Sequence, residues 1–256
     1  MKIFKFLFKI IMALLKAVIV IAGINMIFSF IEERKHDKTV DGGNYYVWKY
    51  GRIYYHKRGH GSPVLLLHGL EPAQSGRSLD TLSKVLSEKH TVYTIDLLGF
   101  GHSDKPWITY TNFLYVRLVL DFIKEIVGES TDIIACDGSA LSMLQAYNFD
   151  PSMIGKVVLV NPSHKETVEI PKVFALKLKK VLDLPLIGTF IYNLYSLSGA
   201  APFDKEGRHV FASRLSGHLT SDITTRPDLM KPEIIVFDQA EANQPFSFGD
   251  IGTSLI

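Results

Sequence analysis

The stretch Asp-Ile-Ile-Ala-Cys-Asp-Gly-Ser, residues 132–139, decides how this chain folds. Its apolar first half is typical of a buried strand, and a helical pattern follows directly after Ser139. When a strand turns this sharply into a helix, backbone packs against backbone, so the residues two before and two after the apex must be small. With Asp137 as the apex, these residues are Ala135 and Ser139. With Ser139 as the apex, one of them would be Leu141, which is too large, so we expect the turn at Asp137.

Other short apolar runs resemble this strand, and helical patterns lie between most of them. Alternation of strands and helices predicts an α/β fold, a mostly parallel sheet with helices on both faces. An aromatic-rich hairpin is expected before the first buried run. The hairpin covers residues 45–57, the other apolar runs are 64–67, 92–95, 157–160 and 234–237, and the helical patterns are 79–86, 112–127 and 140–148.

Residues 163–228 interrupt this alternation, because they are rich in helical patterns such as the amphipathic stretch 172–182. An insertion between the sixth and seventh strands would lie over the carboxyl edge of the sheet. We therefore expect a cap at about residues 163–228 of a single folded domain, residues 36–256. Residues 1–35 are expected to form a membrane anchor and a juxtamembrane segment.

The apolar stretch at residues 10–31 is long enough for a helix that crosses a membrane. Lys16, Asn25 and Ser29 are its polar residues. A cleaved signal peptide would have a shorter apolar core and small residues at the cleavage site, which residues 28–34 do not offer. We expect an uncleaved, single-pass anchor. The lysines before the span favour an N-terminus inside and a domain outside.

The composition limits the possible partners. The chain has 256 residues with a formal net charge of +2, and its basic residues do not cluster with aromatic ones. Nucleic acid is therefore not an expected partner. The single cysteine, Cys136, excludes an internal disulfide framework and a Cys-based zinc site. We expect no metal and no cofactor.

Three further motifs accompany the turn in order along the chain. Leu-Leu-Leu-His-Gly at 65–69 follows the third strand, Asp-Leu-Leu-Gly-Phe-Gly-His-Ser-Asp-Lys-Pro at 96–106 follows the fourth, and Lys-Val-Val-Leu-Val-Asn-Pro at 156–162 covers the sixth. This ordered set resembles the α/β-hydrolase fold family, strongly over about residues 45–162 and weakly over 163–237. The turn then corresponds to the family's nucleophile elbow, with an aspartate where serine usually stands.

The resemblance implies an oxyanion hole that is built from main-chain N–H groups. One donor would be the N–H of Gly138, the residue after the apex. The second would come from Leu70, directly after Gly69. Two such preorganised donors stabilise the charge that develops on a substrate oxygen, commonly by a few kcal/mol each.

The residues leave three interpretations of the apex open. As a nucleophile, Asp137 would attack a saturated carbon and form an alkyl ester, as in haloalkane dehalogenases and epoxide hydrolases of this fold. If Ser139 is the nucleophile, the reaction would be hydrolysis of an acyl ester. In the third interpretation Asp137 is a polar residue of a site without catalysis, which binds a lipid-like or small apolar ligand or a protein partner.

The C-terminal sequence bears on this choice. In the family the general base is a histidine on a loop after the last strand, but residues 231–256 contain no histidine. His164, after the sixth strand, is the candidate that could replace it, and Asp238 is the candidate acid. We expect a membrane-anchored α/β-hydrolase-family protein that hydrolyses ester or related bonds in a small or lipid-like substrate. The alternatives are a non-catalytic binding protein, a truncated hydrolase, and an enzyme similar to dehalogenases or epoxide hydrolases.

Overall fold

A seven-stranded sheet forms the centre of the molecule. The computed structural model describes residues 2–36, 42–71, 74–161, 172–197, 207–215 and 234–237. The strands are β1 (Asn44–Trp48), β2 (Gly51–Arg58), β3 (Pro63–Leu67), β4 (Thr91–Ile95), β5 (Thr131–Cys136), β6 (Ile154–Val160) and β7 (Ile234–Phe237).

The sheet is mostly parallel, as the sequence predicts. Its strand order is β1-β2-β4-β3-β5-β6-β7, and only β2 runs antiparallel to its neighbours β1 and β4. The predicted hairpin is formed by β1 and β2. Every residue of β3 is buried, which explains its continuous apolar sequence, since both faces of a parallel sheet are covered.

Helices cover both faces of the sheet, also as predicted. The helices are α1 (Lys2–His36), α2 (Asp80–Leu86), α3 (Asn112–Phe122), α4 (Gly138–Phe149), α5 (Lys172–Leu182), α6 (Pro185–Leu197) and α7 (Gly207–Leu215). Leu82 and Leu86 of α2 pack against one face of the sheet, while α3 and α4 pack against the other.

The ends of two helices differ from the predicted ones for local reasons. Helix α4 begins at Gly138, two residues before the expected start, because it follows the turn without a linker. The predicted helix 112–127 is α-helical to Phe122 and continues as a π-helical segment, Ile123–Val127. Gly128, with φ +81°, ends it in the left-handed conformation.

Helices α5, α6 and α7 lie in the chain between β6 and β7, where the sequence predicts an insertion. The insertion contacts the loop that follows β4. In this contact His209 Nε2 lies 2.8 Å from the carbonyl oxygen of Pro106, and the His209 ring stacks on Trp107 with 4.4 Å between ring centroids. The insertion is therefore packed on the carboxyl side of β4.

Helix α1 carries the apolar stretch. Residues Phe8–Phe30 have a mean hydropathy of 2.5 and are almost entirely exposed. By length and composition this stretch can cross a membrane, and a signal sequence has the same properties.

Candidate active site at the turn between β5 and α4

The chain turns sharply at Asp137, the single residue between β5 and α4. Its φ of 47° and ψ of −126° lie in a region that residues with a Cβ rarely adopt. The Asp137 N–H donates to the carbonyl oxygen of Val160 on β6 at 2.8 Å, and the Asp137 carbonyl accepts from the N–H of Ala140 at 3.1 Å. The neighbouring strand and the first turn of α4 therefore hold Asp137 in this conformation.

The Ser139 side chain is directed into the turn itself. Ser139 is 1% exposed, and its hydroxyl donates to the carbonyl oxygen of Cys136 at 2.8 Å. A buried hydroxyl that is bonded to the backbone of its own turn has no access to a substrate in this conformation. The residue two positions before Asp137, Ala135, is fully buried.

The carboxyl group of Asp137 lies against Gly69. A Cβ atom on Gly69 would be 2.6 Å from Asp137 Oδ2 and 3.0 Å from Asp137 Cβ. Such distances are shorter than any normal contact, so a larger residue at position 69 would displace the carboxyl group. The absence of a side chain at Gly69 thus makes room for Asp137.

Gly138 and Leu70, the residues of the two expected oxyanion donors, lie close together in the fold. A Cβ on Gly138 would be 3.2 Å from the Cβ of Leu70, so the backbones of the two loops are close together. Within the part of the chain that the structure describes, neither the Gly138 N–H nor the Leu70 N–H donates to a protein acceptor. Among the described residues, both donors therefore lack a protein acceptor.

Burial, and after it the negative charge of Glu71, raises the pKa of the Asp137 carboxyl. Asp137 is partly buried, whereas Glu71 is exposed at the end of the loop after β3. Both influences disfavour the charged form of Asp137. A carboxylate that is poorly solvated is also a stronger nucleophile once it has lost its proton.

His68 is next to this site but is held in place by two main-chain hydrogen bonds. The N–H of Leu97 donates to His68 Nε2 at 3.0 Å, so the ring proton is on Nδ1, which donates to the carbonyl oxygen of Gly69 at 2.6 Å. Burial lowers the pKa of His68. His68 is thus a neutral ring that joins the loops after β3 and β4.

Asp96 has a similar joining role, which the sequence analysis did not identify. Asp96 is 3% exposed, and it accepts hydrogen bonds from the N–H groups of Gly76 at 2.6 Å and His102 at 2.7 Å. Burial alone would raise its pKa, but these hydrogen bonds and the His102 ring outweigh it, so the pKa is lowered. The signal in the sequence is its place as the first residue of the 96–106 motif, directly after a buried strand.

Glu71 was also missed by the sequence analysis. Its position two residues after Gly69 places it in the predicted oxyanion loop, which the resemblance brings to the turn, but nothing in the sequence indicates that the Glu71 charge acts on Asp137. The candidate base His164 and the candidate acid Asp238 lie outside the described residues. Across the described ranges, no imidazole forms a hydrogen bond with the Asp137 carboxyl group.

A cavity of about 360 Å³ lies between the loop after β4 and the insertion. Asp137 does not line it. Its walls come from Trp107, Ile108 and Thr109 on one side and from α5 and α7 on the other, through Lys179, Asp183, His209 and Ser213.

Comparisons with known proteins agree with this architecture. An uncharacterized protein of Mycobacterium tuberculosis is 30% identical over 104 residues, 40% of this chain and 30% of that protein. The 2-hydroxy-6-oxo-6-(2'-aminophenyl)hexa-2,4-dienoic acid hydrolase of Metapseudomonas resinovorans is 38% identical over 71 residues, 27% of this chain and 24% of that enzyme. The matched stretches thus span less than a third of these curated relatives.

A similar solved structure is an α/β-hydrolase fold protein from Burkholderia ambifaria, with a TM-score of 0.58 and 19% identity over 69% of this chain and 71% of that one. At this identity the likeness concerns the fold. A sequence model for the alpha/beta hydrolase fold matches residues 62–201, which is more than half of the chain. The chain therefore belongs to the α/β-hydrolase fold family.

Proposed function

We propose that this protein is a membrane-anchored hydrolase in which the Asp137 carboxylate attacks an electrophilic carbon of a small or lipid-like substrate. The observation that carries the proposal is the strained turn, which holds the Asp137 carboxyl group against Gly69. The N–H groups of Gly138 and Leu70 belong to the same two loops and donate to no acceptor among the described residues. Among the chemistries that the sequence leaves open, attack by Asp137 fits better than attack by Ser139. The Ser139 hydroxyl is buried and bonded to Cys136.

The first step needs no base, because a carboxylate is already charged at neutral pH. An oxygen of Asp137 forms a bond to a saturated carbon that bears a halogen or an epoxide oxygen. The bond from that carbon to the leaving atom breaks, and its electron pair leaves with the halide or the alkoxide. The product is an ester between Asp137 and the substrate.

The second step is hydrolysis of this ester. Water adds to the carboxyl carbon of Asp137 and gives up a proton to a base. The N–H groups of Gly138 and Leu70 would donate to the resulting oxyanion, which then collapses, releases the alcohol and restores the carboxylate. In this proposal His164 takes the proton, and Asp238 orients the imidazole ring of His164.

A second candidate function is binding without turnover. It is favoured by the sequence of residues 231–256, which offers no histidine where the family carries its general base. Without a base the ester on Asp137 would not be hydrolysed and would persist. The site at Asp137 would then bind a lipid-like or small apolar ligand or a protein partner.

The test is mass spectrometry of the full chain after incubation with a 1-haloalkane or a terminal epoxide in ¹⁸O-labelled water. We expect an alkyl adduct on the peptide that contains Asp137, and ¹⁸O in the Asp137 carboxyl group after turnover. Asp137→Asn should abolish both signals, whereas the matched control Ser139→Ala should keep them. A persistent adduct without ¹⁸O would favour the second candidate, and an unmodified peptide would exclude Asp137 as a nucleophile.

A further inference from the structure

Helix α1 packs on α6 through a buried pair of asparagine side chains. The Asn25 amide donates to the carbonyl oxygen of Leu186 at 3.1 Å, and the Asn193 amide donates to Asn25 Oδ1 at 3.1 Å. Asn25 is 9% exposed and Asn193 is 2% exposed. Asn25, one of the polar residues within the apolar stretch of α1, therefore finds its hydrogen-bonding partners on α6.

This contact fixes the depth of α6 if α1 spans a membrane. Asn25 lies five residues before Phe30, the end of the apolar stretch. With a rise of about 1.5 Å per residue, Asn25 is roughly 7.5 Å inside the apolar end of the helix. Interfacial helices lie about 5–10 Å deep at the boundary between headgroups and acyl chains, so α6 would share that depth.

The surface of α6 suits this position. The helix, Pro-Leu-Ile-Gly-Thr-Phe-Ile-Tyr-Asn-Leu-Tyr-Ser-Leu, contains no charged residue. Its apolar side chains Ile187, Leu194 and Leu197 are 45%, 46% and 60% exposed. A charge-free helix with this much exposed apolar surface is unusual on a domain that faces water.

The neighbouring helix α5 supplies positive charge. Lys177 and Lys180 are exposed there, and Lys179 forms an ion pair with Asp183 at 2.8 Å. Exposed apolar residues, Phe174 and Leu176, lie on the same helix. Lysines beside apolar side chains are typical of helices that lie on anionic membranes.

We propose that α6 is an interfacial membrane helix that docks beside α1, with the lysines of α5 at the headgroups of anionic lipids. The inference rests on the anchoring part of the proposed function and not on the chemistry of Asp137. A bilayer is the occupant that the contacts favour, because α6 packs on α1 and both helices carry exposed apolar side chains. Met26 and Ile27, next to Asn25, are 77% and 62% exposed and need the same apolar surroundings.

The experiment places a fluorescent label at single positions of the full chain in nanodiscs of phosphatidylcholine and phosphatidylglycerol. Leu194→Cys on α6, Met26→Cys on α1 and Val47→Cys on β1 are labelled with bimane. Lipids that carry a nitroxide at a shallow acyl position then quench labels at that depth. The native Cys136 reacts poorly, since burial and, after it, the charge of Asp137 raise its pKa to about 12.

We expect several-fold stronger quenching at positions 194 and 26 than at position 47, which is 78% exposed at the opposite edge of the sheet from β7. Quenching at position 26 without quenching at 194 would overturn the docking of α6 while the anchor stands. No quenching at either position would overturn the anchor as well. If the unlabelled Leu194→Cys variant forms a disulfide-linked dimer and the labelled variant shows no quenching, the surface belongs to a contact with a second copy of the chain. None of these outcomes depends on alkylation of Asp137.

Discussion

Asp137 combines two features that reduce the stability of the fold. A residue with a Cβ at φ 47° costs of the order of 1–3 kcal/mol, and its carboxyl group is partly buried beside the charge of Glu71. Glycine at this position would avoid both costs. Strain that is kept at the centre of a site is a reason to infer function there, and we interpret Asp137 in this way.

The variant Glu71→Gln should move the pH midpoint of Asp137 alkylation to lower pH. Burial is the larger cause of the raised pKa and the Glu71 charge the second, so the midpoint should fall without reaching the ordinary value of 3.8. The measurement is the rate of adduct formation against pH. Glu88→Gln, an exposed glutamate after α2, is the matched control and should leave the midpoint unchanged. An upward shift in Glu71→Gln would contradict the assigned electrostatics.

The same pKa shift has a defined sign in the free energy of unfolding. Because the folded-state pKa lies above the unfolded-state value, folding favours the protonated carboxyl group. This contribution to stability is present below about pH 3.8 and is lost as the pH rises through the folded-state pKa. Glu71→Gln should lower the folded-state pKa of Asp137, so the pH range over which this contribution is lost should become narrower. Chemical denaturation at a series of pH values measures this range.

At the scale of secondary-structure elements, the two critical junctions are the turn between β5 and α4 and the contact between α1 and α6. The first could be predicted from sequence because it has a steric requirement, small residues at positions 135 and 139. The second could not. Asn25 and Asn193 are far apart in sequence, and no hydrophobic period indicates that two asparagines will meet.

Replacement of the asparagine pair tests the second junction. Asn25→Leu and Asn193→Leu should each destabilise the chain, since each leaves one buried amide without its partner. The double variant should lose less free energy of unfolding than the two single variants lose together. The difference, the coupling energy, should be about 0.5–1.5 kcal/mol, as for hydrogen bonds between membrane helices. The measurement is the free energy of unfolding in bilayers.

A distant variant provides the control for this cycle. Thr111 caps α3, where its hydroxyl oxygen accepts from the N–H of Leu114 at 3.2 Å. Thr111→Ala and Asn25→Leu should be additive, because distant sites rarely couple. If the coupling energy between residues 25 and 193 is no larger than that between residues 111 and 25, the asparagine pair does not join the helices.

At the scale of the whole molecule, alternation of strands and helices was sufficient to predict the mostly parallel sheet, including β7. Strand order was not predictable to the same extent. The loop with Glu71 meets the turn at Asp137 because β3 pairs with β5 and not only with β4. The carboxyl-edge motifs gave the family and the position of the turn, whereas the electrostatic partner of Asp137 required the three-dimensional arrangement.

The anchor can be tested on the intact protein. We expect the full chain to remain in the membrane fraction after an alkaline carbonate wash, with a mass that still includes residues 1–35. The physical reason is the 23-residue apolar stretch of α1 together with its hydrogen bonds to α6. Release into the supernatant, or a mass without the N-terminal residues, would point to a cleaved signal sequence instead.

The contact between α1 and α6 has a practical consequence for handling the protein. A laboratory that removes the first 42 residues to improve solubility would uncover the amide of Asn193 and the apolar side chains around it. The shortened protein would then bury that surface by self-association. The resulting aggregation would be mistaken for misfolding of the sheet. Purification of the full chain keeps α1 on α6 and this surface covered.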